Sequence, residues 1–173
     1  MATIKAHLIS EKISSNSKES QELFSSQRFG EKQGEKIYYT LSEALFLIEQ
    51  KKMEILDFKN KKISKKQLLN KFQKIDKKFN TKYFVFRDLR SKGYIVKTAL
   101  KFGAEFRVYE KGKKIGKDHA KWILFPVSEN QQLTWHDFSA KNRVAHSTKK
   151  NLLIAIVDEE GDVSYYEVGW LRP

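Results

Sequence analysis

The sequence predicts an α+β protein with two domains. A small mixed α+β domain, residues 1–80, precedes an α/β domain with a central mixed sheet, residues 81–173. Capping-box sequences open two helical patterns in the first half of the chain. Short apolar segments typical of strands predominate after residue 93. The length of 173 residues fits one domain or two small ones, and the pattern changes near residue 80.

The first 39 residues are polar and poorly periodic, and they contain one short strand pattern at Ile37-Tyr-Tyr. The Ser-rich run 14–20 is typical of a turn or loop. Thr40 and Glu43 then form a capping box, in which each side chain binds a free backbone N–H of the first helical turn. A helix is therefore predicted over residues 41–50.

A second capping box, Ser64 to Gln67, opens an amphipathic helix. Its apolar residues fall on one stripe at spacings of three, four and seven: Leu68, Leu69, Phe72, Ile75 and Phe79. Many lysines lie outside this stripe, and they fit either a solvated outer face or an RNA-binding face. A third helix is predicted over residues 81–92, ending at Gly93.

The second half of the chain predicts three strands, a helix and a hairpin. The strands are residues 94–98, 105–109 and 122–127, and helical spacing follows over residues 134–148. The hairpin pairs residues 152–157 with 163–168, and we expect Gly161 in its acidic turn to adopt a positive φ.

The charge balance indicates a polyanionic partner. The formal net charge is +13, and both predicted domains share the surplus. Nucleic acid is the partner that such a surplus favours, while a lysine-rich genome with a solvated surface is the alternative.

Several protein classes are excluded. The chain has no cysteine, so it has no disulfide, thiolate metal site or cysteine nucleophile. No apolar run approaches the roughly 20 residues of a membrane span, and the N-terminus lacks the apolar core of a signal peptide. The sequence therefore predicts a cytoplasmic protein without membrane contact.

Metal and cofactor sites are not predicted. The three histidines at positions 7, 136 and 146 lack the spacing of metal ligands, and residues 112–116 lack the ending of a phosphate-binding P-loop. A metal-dependent nuclease would need clustered carboxylates, and only Asp88 and Glu105 lie near suitable strands. That alternative stays open.

Three residues could together cleave RNA through its own 2′-hydroxyl. This reaction needs a base for the 2′-hydroxyl proton, an acid for the departing 5′-oxygen and a cation for the phosphorane. Tyr109, His119 and Lys150 can supply these functions in that order. No spacing rule links them. A half-buried tyrosine, a solvated histidine and an ordinary surface lysine are the alternative interpretation.

Four segments carry a resemblance to a known family: residues 83–97, residues 101–109 ending at Tyr109, His119 ten residues later, and residues 143–150 leading into an apolar strand. Their order and spacing resemble the catalytic domain of the archaeal tRNA-splicing endonucleases over essentially all of residues 81–173. Residues 37–79 resemble that family's N-terminal domain less sharply, chiefly through residues 39–48.

The resemblance implies a metal-independent endoribonuclease that excises introns from precursor tRNA at bulge–helix–bulge motifs, leaving 2′,3′-cyclic phosphate and 5′-hydroxyl ends. It implies catalytic roles for Tyr109, His119 and Lys150. It also implies that Arg143 and Trp170 hold a bulged base. A non-catalytic RNA-binding or structural subunit of such an assembly is the alternative, and the presence of all three catalytic positions argues against it.

The resemblance also implies an assembly with a second chain. Four acidic residues of the hairpin turn correspond to a loop that, in relatives, inserts into a polar pocket of a neighbouring subunit: Asp158, Glu159, Glu160 and Asp162. The expected assembly is a homo-oligomer, as a dimer of dimers, or a heterotetramer with a structural subunit. An ordinary exposed hairpin is the alternative.

Overall fold

A computed structural model describes residues 3–113 and 118–171 of the chain. The chain divides into two compact units, one ending at Phe79 and the other beginning at Asn80. Each unit contains a five-stranded mixed sheet. Helices and mixed sheets in both units confirm the predicted α+β class.

The described residues of the N-terminal unit form five strands and three helices. In chain order they are β1 (Ile4–Ile9), β2 (Lys12–Ser15), α1 (Lys18–Gln27), β3 (Glu31–Gln33), β4 (Lys36–Tyr39), α2 (Leu41–Glu49), β5 (Met53–Leu56) and α3 (Lys65–Ile75). The strand order is β3-β4-β2-β1-β5, with β1 and β5 parallel and the other neighbours antiparallel.

Helix α2 is the most buried helix described in this unit, and the predicted capping box fixes its start. The Thr40 hydroxyl accepts a hydrogen bond from the backbone N–H of Glu43, and the Glu43 carboxylate accepts one from the N–H of Thr40. The same carboxylate accepts a further bond of 2.9 Å from the N–H of Gly30. Glu43 is only 3 % exposed, so these bonds compensate the burial of its polar oxygens.

Two predictions for the N-terminal unit are wrong in part. The Ser-rich run predicted as a turn or loop instead ends β2 at Ser15, caps α1 through the Ser17 hydroxyl and begins α1 at Lys18. The stripe on α3 does not continue to Phe79, because Asp76 is extended and ends the helix, while Ile75 is 40 % exposed. The polar residues of this region gave no strand pattern for β1 and β2. These strands form because β1 pairs with β5 and β2 pairs with β4.

In the C-terminal unit, residues 79–113 and 118–171 form five strands, two helices and one short 3-10 turn. In chain order they are α4 (Phe79–Ser91), which begins at the boundary, β6 (Ile95–Thr98), the 3-10 turn Leu100–Phe102, β7 (Phe106–Tyr109), β8 (Trp122–Ser128), α5 (Trp135–Ser147), β9 (Asn151–Val157) and β10 (Val163–Val168). These elements confirm the predicted helices, strands and hairpin to within a few residues.

The sheet of this unit runs in the order β10-β9-β8-β7-β6. Among the strands described, β8 and β9 are parallel and the other neighbours are antiparallel, and α5 is the crossover connection that a parallel pair requires. On one face, Ala145 of α5 packs in a core cluster with Ile123 and Leu152 of the sheet. On the other face, the rings of Phe86 in α4 and Phe106 in β7 lie 6.1 Å apart.

The β9–β10 turn depends on a glycine, as predicted. Gly161 has a φ of +88° and is buried against the ring of Phe84. The Asp158 carboxylate accepts a hydrogen bond from the N–H of Asp162, at 2.9 Å, and closes the turn. The turn is therefore held both by its own hydrogen bonds and by packing on α4.

Replacement of Gly161 by alanine should lower the free energy of unfolding more than replacement of Gly93. The two glycines have φ values of +88° and +89°, so alanine at either position costs about 1–3 kcal/mol of backbone strain. A Cβ at position 161 would also lie 3.0 Å from the Phe84 ring, whereas no described atom lies within 4 Å at position 93. We expect a further loss of about 1 kcal/mol for Gly161→Ala, measured by urea unfolding. Equal losses for the two variants would contradict the packing role of Gly161.

Candidate active site

The register of three adjacent strands brings Tyr109 and Lys150 to the same end of these strands in the C-terminal sheet. Val108 of β7 lies opposite Trp122 of β8, and Trp122 lies opposite Asn151 of β9. Tyr109 and Lys150 therefore both align with Lys121, which precedes β8. The backbone bonds continue through this row, since the N–H of Lys121 donates to Val108 and the N–H of Asn151 donates to Lys121. At the usual strand spacing, the Cα atoms of Tyr109 and Lys150 lie roughly 10 Å apart.

His119 lies in the segment that leads into β8, two residues before the aligned row, and its side chain is exposed. Asp118 separates it from residues 114–117, which lie outside the described part of the chain. Since β8 runs between β7 and β9, His119 lies at the same edge of the sheet as the other two candidates. The fold thus brings the three predicted catalytic residues to the ends of three neighbouring strands.

Tyr109 is the last residue of β7, and its side chain is only 4 % exposed. Successive side chains of a strand point to opposite faces of the sheet. Tyr109 therefore lies on the face opposite to that of Val108, which is fully buried. Only a small part of the Tyr109 ring can therefore contact a ligand.

The end of α5 holds Lys150 in place. Lys149 adopts a left-handed φ of 54°, and the N–H of Lys150 donates to the carbonyl of Ala145 at 2.9 Å. The Lys150 ammonium donates to the carbonyl of Thr148 at 2.8 Å and lies 5.7 Å from the centre of the Phe102 ring. Burial lowers the pKa of the Lys150 ammonium below its ordinary value, and the nearby charge of Arg107 lowers it further.

Arg107 and Lys97 add two more positive charges to this region. Arg107 lies two residues before Tyr109 and therefore on the same face of the sheet, and Lys97 lies directly opposite Arg107 on β6. Lys97 is 7 % exposed. No sequence pattern gives Lys97 a role, and the β6–β7 register identifies it as a neighbour of the site.

Arg143 and Trp170, the predicted base-holding residues, lie beside the same stretch of α5. Arg143 is exposed, and His146 follows it by one helical turn on the same face. The rings of His146 and Trp170 lie 3.9 Å apart at an angle of 68°. Trp170 is 49 % exposed, so about half of its surface is open to solvent. From the sequence, His146 was a candidate only for metal binding, because its contact with Trp170 depends on tertiary packing.

Hydrogen bonds already fix part of the predicted acidic turn. The Glu129 carboxylate accepts a bond from the N–H of Glu159, and the Glu159 carboxylate accepts one from the Asn130 amide. Asp158 is half-buried and accepts the N–H of Asp162, whereas Glu159, Glu160 and Asp162 are exposed. The turn therefore presents carboxylates on a preformed surface.

A metal-binding cluster and a membrane-spanning helix are both absent from residues 3–113 and 118–171. No cluster of three or more His, Asp or Glu side chains suited to a metal ion occurs there. In particular, Glu105 forms a salt bridge with Lys82 at 2.9 Å, while Asp88 accepts hydrogen bonds from Lys92 and Tyr165. No helix in this part of the chain is long and apolar enough to cross a membrane.

Comparison with known proteins matches both units to one family. Residues 79–165 match the family model described as tRNA intron endonuclease, catalytic C-terminal domain. Residues 4–69 match the model described as tRNA intron endonuclease, N-terminal domain.

Individual relatives named tRNA-splicing endonuclease agree with these matches. A protein of Pyrococcus horikoshii is 41 % identical over 151 residues, covering 87 % of this chain and 86 % of the relative. One of Thermococcus kodakarensis is 41 % identical over 150 residues, covering 87 % of each chain. One of Nanoarchaeum equitans is 42 % identical over 139 residues, covering 77 % of this chain and 88 % of the relative.

Replacement of Arg107 by glutamine should raise the pKa of Lys150. Arg107 disfavours the protonated amine, so its removal should let Lys150 hold its proton to higher pH, although burial keeps the pKa below the ordinary lysine value. An NMR titration of lysine labelled at Cε, assigned with Lys150→Arg, measures this change. An unchanged Lys150 titration in Arg107→Gln would contradict the proximity of the two charges.

Proposed function

This chain belongs to the tRNA intron endonuclease family, and we propose that it is a metal-independent endoribonuclease acting on precursor tRNA at bulge–helix–bulge motifs. The products would be a 2′,3′-cyclic phosphate and a 5′-hydroxyl. Tyr109, His119 and Lys150 are the proposed catalytic residues.

The proposed reaction is an internal transesterification. Tyr109 removes the proton of the ribose 2′-hydroxyl, and the 2′-oxygen forms a bond to the adjacent phosphorus. The bond from phosphorus to the 5′-oxygen breaks as His119 donates a proton to that oxygen. Lys150 stabilises the extra negative charge of the phosphorane. The nucleophile belongs to the RNA itself, so this step needs neither a bound water nor a metal ion to generate it.

The observation that carries the proposal is the alignment of Tyr109 and Lys150 across β8. A separation of roughly 10 Å between their Cα atoms leaves room for one phosphodiester between a phenol and an ammonium. The segment containing His119 leads into the strand between them. A base and an acid in separate segments suit this reaction, because one acts on the attacking oxygen and the other on the leaving oxygen.

Arg143 and Trp170 are the proposed contacts to a bulged base. A guanidinium and an exposed indole can hold an unstacked base between them through cation–π and stacking interactions. Support comes from the exposure of both side chains and from the contact of Trp170 with His146, one turn from Arg143.

Two scission sites require two active subunits. A bulge–helix–bulge has two related cleavage points, and one chain carries one catalytic set, so symmetric association is an economical arrangement. We propose pairwise association through the hairpin of residues 152–168. We further propose that its acidic turn docks in a basic pocket of another subunit, in a homo-oligomer or a heterotetramer.

The chemistry predicts that a precursor tRNA with a 2′-deoxy nucleotide at the scission site binds normally but remains uncut. EDTA should leave cleavage of the all-ribose substrate unchanged. His119→Ala should reduce the single-turnover cleavage rate by about 10²–10⁴-fold, the usual range for a positioned acid, with little loss of binding.

His136→Ala is the matched control, because it removes an exposed histidine of the same unit at the start of α5. Efficient cutting of the 2′-deoxy substrate would exclude the transesterification. Loss of activity in EDTA would support a metal-dependent nuclease instead. A wild-type protein that binds the RNA without cutting it would support a non-catalytic subunit.

The assembly proposal predicts that the double variant Glu159→Lys, Glu160→Lys dissociates into smaller species. Reversal of these exposed charges should repel a basic pocket, and cleavage at both sites should fall together. Light scattering and a cleavage assay on the same sample measure the two effects. The variant leaves Asp158 and Asp162 in place, because their hydrogen bond closes the turn.

Glu31→Lys with Glu35→Lys provides the control, since it changes the net charge equally at two exposed residues of the N-terminal unit. If the turn variant keeps the parent mass and full activity, the acidic turn is only a solvated hairpin.

A further inference from the structure

One hydrogen-bond donor of Arg107 has no acceptor in the described part of the chain. Its Nε atom is buried, and no residue of 3–113 or 118–171 accepts a hydrogen bond from it. The nearby carboxylate of Glu105 instead forms a salt bridge with Lys82. A buried guanidinium nitrogen without an acceptor is costly, so the unfilled position calls for an explanation.

The neighbours of Arg107 increase this cost. Lys97 lies directly opposite on β6, and the positive charge of Arg107 adds to the effect of burial in lowering the pKa of the Lys150 ammonium. Like charges in a partly buried region repel each other. An anion bound between Arg107 and Lys150 would relieve this repulsion.

The position of Arg107 also fits the chemistry of the site. It lies two residues before Tyr109 on the same face of β7, and the residue as a whole is half-buried. A guanidinium presents paired donors in a fixed plane that matches two oxygens of a phosphate. Lysine, by contrast, supplies a single point of charge.

We propose that Arg107 is a second phosphate-binding residue of this site, and that its guanidinium donates to a non-bridging oxygen of the scissile phosphate opposite the Lys150 ammonium. This inference rests on the proposed function, because it adds a residue to the same site. Arg107 would hold the phosphate in both the bound substrate and the phosphorane, in which the charge on the non-bridging oxygens increases. Its removal should therefore affect the rate of cleavage more than binding.

The test combines Arg107 variants with sulfur substitution at the scissile phosphate. Arg107→Gln should lower the single-turnover rate on the all-oxygen substrate by about 10²-fold, as expected for loss of one donor to a developing anion. Arg107→Lys should recover part of that loss, because it restores the charge without the paired donors. Arg87→Gln is the control, since it removes one exposed cation of α4, the helix that packs on the other face of the sheet.

The separated Rp and Sp phosphorothioates identify the contact. In the wild type and in Arg87→Gln, sulfur at the contacted oxygen should slow cleavage more in one diastereomer than in the other. In Arg107→Gln the difference in cleavage rate between the two diastereomers should be smaller. If Arg107 contacts the substituted oxygen, the effects of the mutation and of the sulfur are not additive. An Arg107→Gln protein with the wild-type rate, or with the same diastereomer preference as the wild type, would overturn the inference.

Two further measurements separate the possible failures. Thermal unfolding of each variant shows whether Arg107→Gln is folded. If Arg107→Gln is not folded, the phosphorothioate comparison is made with Arg107→Lys instead. Wild-type cleavage with a cyclic phosphate product tests the proposed function by itself. A wild type that cleaves in this way while Arg107 variants retain its diastereomer preference would leave the proposed function intact and reject only the role of Arg107.

Discussion

The backbone register of β7, β8 and β9 is the constraint on which the candidate site depends. An antiparallel pair followed by a parallel pair aligns Tyr109 and Lys150 with the residue before β8. A shift of one residue in either ladder would move a side chain to the other face of the sheet. The alignment of Tyr109 with Lys150 therefore requires this register, as does the packing of the sheet.

The crossover helix α5 fixes that register from one side. Its Ala145 packs in the cluster that includes Ile123 and Leu152, and the same residue accepts the N–H of Lys150. Burial of this apolar cluster thus holds the start of β9 where the Lys150 side chain reaches Phe102. Because α5 also carries Arg143, the positions of Lys150 and Arg143 both depend on one packed helix.

The cations of the site illustrate a balance between stability and function. Arg107 and Lys150 lie close enough to interact unfavourably, and the Nε of Arg107 has no hydrogen-bond acceptor among the described residues. Such an arrangement costs folding free energy. A bound phosphate would reduce the repulsion between these two cations, as in a site prepared for an anion before the anion arrives.

The sequence alone determined the local features: the capping boxes at Thr40 and Ser64, the helices and strands of the C-terminal unit, and the positive φ of Gly161. These depend on neighbouring residues, so the chain carries their signals locally. It also supplied the candidate catalytic residues, although only through a family resemblance, because no spacing rule connects them.

Tertiary structure decided the rest. Strands β1 and β2 form through pairing between distant segments, and the alignment of Tyr109 with Lys150, the position of Lys97 opposite Arg107 and the contact of Trp170 with His146 join residues far apart in the chain. Such contacts depend on non-local packing and register, which a periodic pattern cannot encode.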